Sequence, residues 1–431
     1  MNKVVPITFI EHEKKEVPEV NELIQQNILS LPDKTDDFMT IPDYLGITSN
    51  NNILEAGYYI GATWLQENKI AAIVKPKIQN IDYLKMFAEA LSIESDKESE
   101  YFSKCYGIDF DKPAIEVESS LNIITPLILI HYISVLKRLT KKGLKNDYIY
   151  REDNLQSKVK GHLLFQKQFR KNIINKREDK NFCGFQEYTI DIPENRLLKK
   201  ALIFTNLAIN NYESLTKQSV FENIRYTINQ LLNSFINVSD NIDVTEVKTL
   251  KYNKLFSGYK EAIYLAKLIL KKFDYSLQNA EILENKTLPF WIDMPRLYEL
   301  YVYNYLNKSY PNQIEFQVEG YYKTAADYII KDKGIILDAK YKPKYENGNS
   351  GIIPDIREIS GYARDEKILK RFDNPYITTI PCIILYPSCY EEMDNINSSQ
   401  SDIFDGILAN AKKITPYRDF YKLKIDLPLI K

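Results

Sequence analysis

Apolar and polar positions along the chain follow two periods. Near the N-terminus, Val4 to Ile10 reads as a strand. Tyr59 to Trp64 and Ile70 to Lys77 read as two more, with Glu67 and Asn68 at the turn between them and Pro76 closing the second. Asp82 to Leu91 places apolar residues at helical spacing behind an aspartate suited to cap a helix. Residues 1–110 therefore predict a small α+β module. Over residues 111–285 the period is helical, with one helix at Leu121 to Leu139, two within Arg196 to Leu231, and another at Gly258 to Phe273. From 286 to 431 helix and strand signals alternate, so the chain reads as an α+β protein in three parts.

The last part carries the most specific pattern. Trp291 to Pro295 leads into a helix over Arg296 to Leu306 that contains Glu299. Thr324 to Ile330 and Ile335 to Lys342 form two strands joined at Lys331-Asp332-Lys333-Gly334, a hairpin signature. A tight hairpin here sets Asp327 opposite Asp338, within one residue of register. Strand periodicity puts Asp338 and Lys340 on one face, with Ala339 pointing away. A further helix is predicted over Asp355 to Ala363, after Pro354 and with Asp355 as its cap. It carries Glu358 and Tyr362, and an apolar strand over Ile380 to Tyr386 follows.

Composition narrows the chemistry. Lys and Arg number 57 against 58 Asp and Glu in 431 residues, so the chain is not a polycation and nucleic-acid contact would come from local patches. One such patch runs from Lys137 to Lys180, with 14 Lys and Arg against 5 Asp and Glu, interleaved with Tyr148, Tyr150, Phe165 and Phe169. It reads either as a solvated loop and helix face or as a strip that contacts phosphates. Cys105, Cys183, Cys382 and Cys389 are scattered, and His12, His131 and His162 stand alone, so neither a zinc site nor a disulfide scaffold is expected. These features, and an N-terminus with no apolar segment behind a basic start, fit a reducing cytoplasm. The longest apolar stretch, Leu121 to Leu136, is too short and too polar to cross a bilayer. There is no GxxxxGK[ST] loop, GxSxG elbow or HExxH helix. What remains is chemistry done by carboxylates, lysine and tyrosine.

The hairpin is suited to that chemistry. Two carboxylates facing each other repel, and a divalent cation between them removes the cost. Hard oxygen ligands favour Mg2+, with Mn2+ as the alternative. A lysine two residues along the strand would orient a metal-bound water, help deprotonate it, or stabilise charge on a phosphate. The plain alternative is an exposed polar hairpin whose charges are solvated.

This order of elements resembles the PD-(D/E)XK nuclease core. The wording of Asp293 to Leu306, of the hairpin, and of Asp355 to Ala363 is similar to the McrC family, the nuclease subunits of modification-dependent McrBC restriction systems. Tyr58 to Ile78 resembles that family's N-terminal domain, and Lys160 to Phe165 with Ile190 to Leu202 its middle region. The resemblance implies a C-terminal α/β nuclease core with a mixed central sheet, residues 1–110 as a motor-docking module, and 286–431 as the nuclease domain. It implies Asp327, Asp338 and Lys340 as the catalytic triad, although Ala326 replaces the proline that names the superfamily. It further implies a metal set of Asp327, Asp338, Ala339 and Glu299. Glu358 stands where the family often has glutamine, so it would pair with Lys340 or bind a second metal; a surface helix charge remains the alternative for both Glu299 and Glu358. The implied partners are DNA carrying 5-methylcytosine and a hexameric AAA+ GTPase of the McrB type, which the chain would stimulate. Two nuclease domains would have to meet to cut both strands. A sequence-specific or RNA-directed relative, and a non-catalytic activator of the motor, are the other readings.

Overall fold

The computed structural model describes residues 6–26, 28–29, 31, 43–50, 52–78, 80–91, 100–102, 104–109, 112–116, 124–216, 222–247, 258–276, 286–345, 348, 351–374, 379–388, 404 and 406–429. Two compact units emerge: residues 1–127 with 281–431, and residues 128–280. This differs from the three-part division expected at 110 and 285, and the first unit shows why.

Its N-terminal half is a sheet of strands β1 (Ile7–Ile10), β2 (Tyr59–Gln66), β3 (Ile70–Lys75) and β4 (Tyr106–Ile108), with helix α1 (Tyr83–Leu91) beside them. The sheet is completed by β5 (Phe290–Asp293), which lies antiparallel between β2 and β4. The chain leaves this sheet for some 180 residues and returns to it, so a boundary at 286 would cut a strand from its partners. Gly61 makes the seam possible: its φ is +143°, and a Cβ there would lie 2.1 Å from the Phe290 carbonyl oxygen. The predicted strand at Val4 to Ile10 is observed from Ile7, with Val4 and Val5 outside the described residues. The second predicted strand stops at Lys75, before Pro76.

From β5 the chain turns directly into α2 (Met294–Ser309). Asp293 caps it, accepting a hydrogen bond from the Arg296 backbone N–H at 3.1 Å, and Pro295 occupies the first turn, where no backbone donor is needed. Then come β6 (Ile314–Glu319), β7 (Ala325–Ile330), β8 (Ile335–Ala339), α3 (Ile353–Tyr362), β9 (Cys382–Pro387), β10 (Lys412–Lys413) and β11 (Phe420–Ile425). Their order across the sheet is β6-β7-β8-β9-β11-β10. The pairs β6–β7 and β7–β8 are antiparallel, β8–β9 and β9–β11 parallel, and β10–β11 antiparallel, so the sheet is mixed as expected. The central strands read as continuous apolar runs because they are covered on both faces: all of β8 and β9 is buried.

In α3, Asp355 is not the cap. Ile352 occupies that position, with no side-chain cap, and Pro354 fills the first turn. Asp355 lies inside the helix, buried, and accepts hydrogen bonds from Lys342 Nζ at 2.7 Å and from the Tyr345 hydroxyl. A lysine donor was on offer across the loop, and the carboxylate took it in preference to the helix N–H groups.

The second unit is mainly helical, with Pro193–Thr216, Glu222–Ser234 and Gly258–Ser276 as its long helices, entered by the helix Ile124–Lys141. Buried tyrosines tie it together: Tyr132 donates to the Leu198 carbonyl at 2.7 Å, and Tyr259 to Asn195 Oδ1 at 2.8 Å. The basic connector is not a loop. Asp147–Gln156 and Lys180–Thr189 pair antiparallel along ten positions each, with His162–Leu163 as a third strand. Much of its positive charge is neutralised locally, Arg151 by Glu187 at 2.9 Å, Lys160 by Glu187 at 3.4 Å and Lys167 by Glu152, while Tyr148, Tyr150, Phe165 and Phe169 are exposed. Cys105, Cys183 and Cys382 are free and buried, and Cys389 lies outside the described residues. Among the described residues, no helix is long and apolar enough to cross a membrane.

Candidate nuclease site

The hairpin register matches the expectation. Tyr328 pairs with Leu337, Ile329 with Ile336 and Ile330 with Ile335, which carries Asp327 opposite Asp338. Gly334 takes a φ of +61° in the connecting turn, a conformation that glycine adopts without strain. Asp338 and Lys340 share a face: Lys340 Nζ lies 3.0 Å from Asp338 Oδ2. The same ammonium lies 2.9 Å from Glu358 Oε2, so α3 delivers Glu358 to Lys340. Glu358 Oε1 in turn accepts from the Tyr362 hydroxyl at 3.0 Å. Ala339 contributes its backbone N–H, which donates to Asp327 Oδ2 at 2.8 Å. Glu299 approaches from α2, bridged to Asp327 by the Gln317 amide, whose Nε2 lies 2.9 Å from Glu299 Oε2 and 3.0 Å from Asp327 Oδ1. All the acids and the lysine expected from the sequence are therefore gathered in one place.

Four carboxylates here face one ammonium. Burial pushes Asp327 up to about 8, and the neighbouring Glu299 charge adds to the rise while Lys340 opposes it. Burial also lifts Glu299 to about 7, partly countered by the Tyr101 hydrogen bond. Asp338, only 1% exposed, is held well above the carboxylate range by burial and by Asp327. Burial works against the Lys340 charge, but Asp338, Asp327 and Glu358 together outweigh it and hold the ammonium firmly protonated. These neighbours favour the charged form of Lys340. Asp338 Oδ2 has this ion pair but no directed hydrogen bond.

The donor set fits a hard divalent cation: excess buried carboxylate oxygen, one oxygen without a hydrogen bond, and acids destabilised in their charged form for want of positive charge. Among the described residues, no group of three His, Cys, Asp or Glu side chains is already arranged to hold an ion, and each Asp327 oxygen accepts a hydrogen bond from a protein donor.

Sequence reasoning missed three participants. Gln317 bridges two acids, the Tyr101 hydroxyl donates to Glu299 Oε2, and Arg296 stacks over the Tyr101 ring at 5.6 Å while pairing with Asp293 at 3.3 Å. The alternation of Ile314, Phe316 and Val318 was the available signal for β6, but it does not separate a glutamine facing a site from one facing water. Tyr101 lies 198 positions from Glu299, and no local period links them.

The family model for the McrBC 5-methylcytosine restriction system component matches residues 54–353. No curated protein matches the chain. Two solved structures from Thermococcus gammatolerans are similar to it. One is a half-complex from a tetradecameric assembly of McrB AAA+ hexamers with bound McrC (16% identity, 99% of this chain and 95% of that one, TM-score 0.38). The other is a cryo-EM structure of the McrBC complex (13% identity, 71% and 88%, TM-score 0.30). With well over half of its length inside the matched region, this chain belongs to the family of McrBC 5-methylcytosine restriction system components.

Proposed function

We propose that this chain is the McrC-type DNA endonuclease subunit of a modification-dependent restriction complex. In this reading it cleaves phosphodiester bonds with Mg2+ when assembled with an McrB-type AAA+ GTPase, which it stimulates. The observation that carries the reading is the convergence of Asp327, Asp338 and Lys340, with Glu299 behind them, in a chain of this family.

Asp327 and Asp338 would hold the cation, with Glu299 supporting it and Ala339 fixing Asp327 through its backbone N–H. When bound, the cation supplies charge neutralisation at the scissile phosphate and acidifies water. Lys340 is charged and only partly exposed, so its role is to orient the attacking water and to stabilise negative charge building on the phosphate. Glu358 fixes the Lys340 ammonium and is itself steadied by Tyr362. One such centre cuts one strand, so a double-strand break requires two chains to meet through their nuclease domains. The chain has no phosphate-binding loop of its own, which agrees with nucleotide hydrolysis by the partner. In this reading the complex works in the cytoplasm, and residues 1–110 dock the chain to the motor.

Co-expression with its AAA+ partner, followed by cleavage of methylated and unmodified DNA with Mg2+ and GTP, tests the reading. Cleavage restricted to methylated DNA and dependent on GTP is expected. Equal cleavage of both substrates would favour a sequence-specific relative, and no cleavage with intact GTPase stimulation would favour a non-catalytic activator.

A further inference from the structure

Gln317 stands out in the nuclease sheet. Its neighbours Phe316 and Val318 pair with Tyr328 and Ala326, so register puts Gln317 across from Asp327. Yet Gln317 has a φ of +47°, and the regular pairing skips it. The left-handed region is unfavourable for a residue with a Cβ, and a side chain as long as glutamine gains nothing locally from it. Such a backbone persists where its surroundings hold it, and it clusters at functional sites.

The side chain shows what the distortion achieves. The amide nitrogen carries two hydrogens, and its two acceptors are Glu299 Oε2 at 2.9 Å and Asp327 Oδ1 at 3.0 Å. One neutral group thus clasps two buried acids that would otherwise repel each other. Each of these acids has a second donor, on the same oxygen in Glu299 and on the other oxygen in Asp327. The Tyr101 hydroxyl donates to Glu299 Oε2, and the Ala339 N–H donates to Asp327 Oδ2. Glutamine suits the clasp because it donates without adding charge. A glutamate would add a fifth carboxylate, and a lysine would compete with the cation.

We propose that Gln317 is a positioning residue that holds Glu299 and Asp327 side by side where a divalent cation would bind, and that its left-handed backbone aims the amide at both. The proposal rests on the nuclease reading above, since it concerns the same acids.

The test is Mn2+ binding to the full chain, measured by calorimetry alongside a thermal melt, for wild type, Gln317→Gly and Gln317→Asn. Glycine takes the left-handed backbone without strain, and asparagine tolerates it while being too short to reach both acids. The expected result is a Mn2+ dissociation constant raised by about 10–100-fold in both variants, with the melting temperature held or raised. Unchanged or tighter Mn2+ binding in a folded variant would overturn the positioning role. Loss of the folded transition in both variants would also overturn it, because the residue would then serve the strand and not the site. If the wild-type chain itself bound no Mn2+, the nuclease reading would fail first, and the two failures are thereby separable.

Discussion

Glu11 offers a test of the electrostatics that join the N-terminal sheet to the segment following the Asp338 hairpin. It lies just beyond β1 with its side chain fully buried. Its Oε2 accepts the Lys77 backbone N–H at 2.8 Å, and its Oε1 lies 3.8 Å from Lys77 Nζ without a hydrogen-bond partner among the described residues. The buried Tyr83 hydroxyl is also near the carboxylate. Lys77 Nζ donates to the carbonyl of Tyr341, the residue after Lys340, at 2.7 Å, and lies 4.1 Å from the centre of the Tyr341 ring. Burial raises Glu11 from 4.5 to about 7, and Lys77 only partly opposes it. Between those two values the folded chain holds the proton more tightly than the unfolded chain does, so stability falls as pH rises through that window. The loss, small at about pH 5, approaches about 3 kcal/mol at about pH 8. Glu11→Gln keeps an acceptor for the Lys77 N–H and removes the titration. Its advantage over wild type should grow from about 1 to about 3 kcal/mol across that range. The chain has two tryptophans, Trp64 in β2 and Trp291 in β5, so urea unfolding followed by tryptophan fluorescence reports on this sheet directly. Parallel pH profiles for the two proteins would refute the reasoning.

Further predictions concern packing and the site's supports. Gly61→Ala drives a Cβ to 2.1 Å from the Phe290 carbonyl and should cost about 3 kcal/mol, read as an earlier unfolding midpoint in the same fluorescence assay. Asp355→Ala removes a buried acceptor from Lys342 and Tyr345; because Lys342 keeps solvent contact, the expected loss is about 2 kcal/mol by urea titration.

The hairpin was legible because two strong local rules agreed. A tight turn fixes register, and strand period fixes which residues share a face, so the positions of Asp327, Asp338 and Lys340 followed from counting. The helices of the middle region were legible because their apolar residues recur at helical spacing. The connector was misread because the strand Asp147–Gln156 is largely exposed along its length and has no buried face to imprint an apolar alternation. The return of β5 to the N-terminal sheet was hidden by its brevity, since Phe290 to Asp293 reads as the lead-in to a helix. The supports of the site, Tyr101, Arg296 and Gln317, act across long stretches of sequence or through an unusual backbone angle, and neither leaves a periodic trace.

The central claim is that Asp338 and Lys340 perform DNA cleavage. Its most direct test assembles Asp338→Asn and Lys340→Ala separately with the AAA+ partner and measures DNA cleavage and GTP turnover in the same reaction. The account predicts that cleavage is lost in both while stimulated GTP turnover persists; normal cleavage by either variant would contradict it.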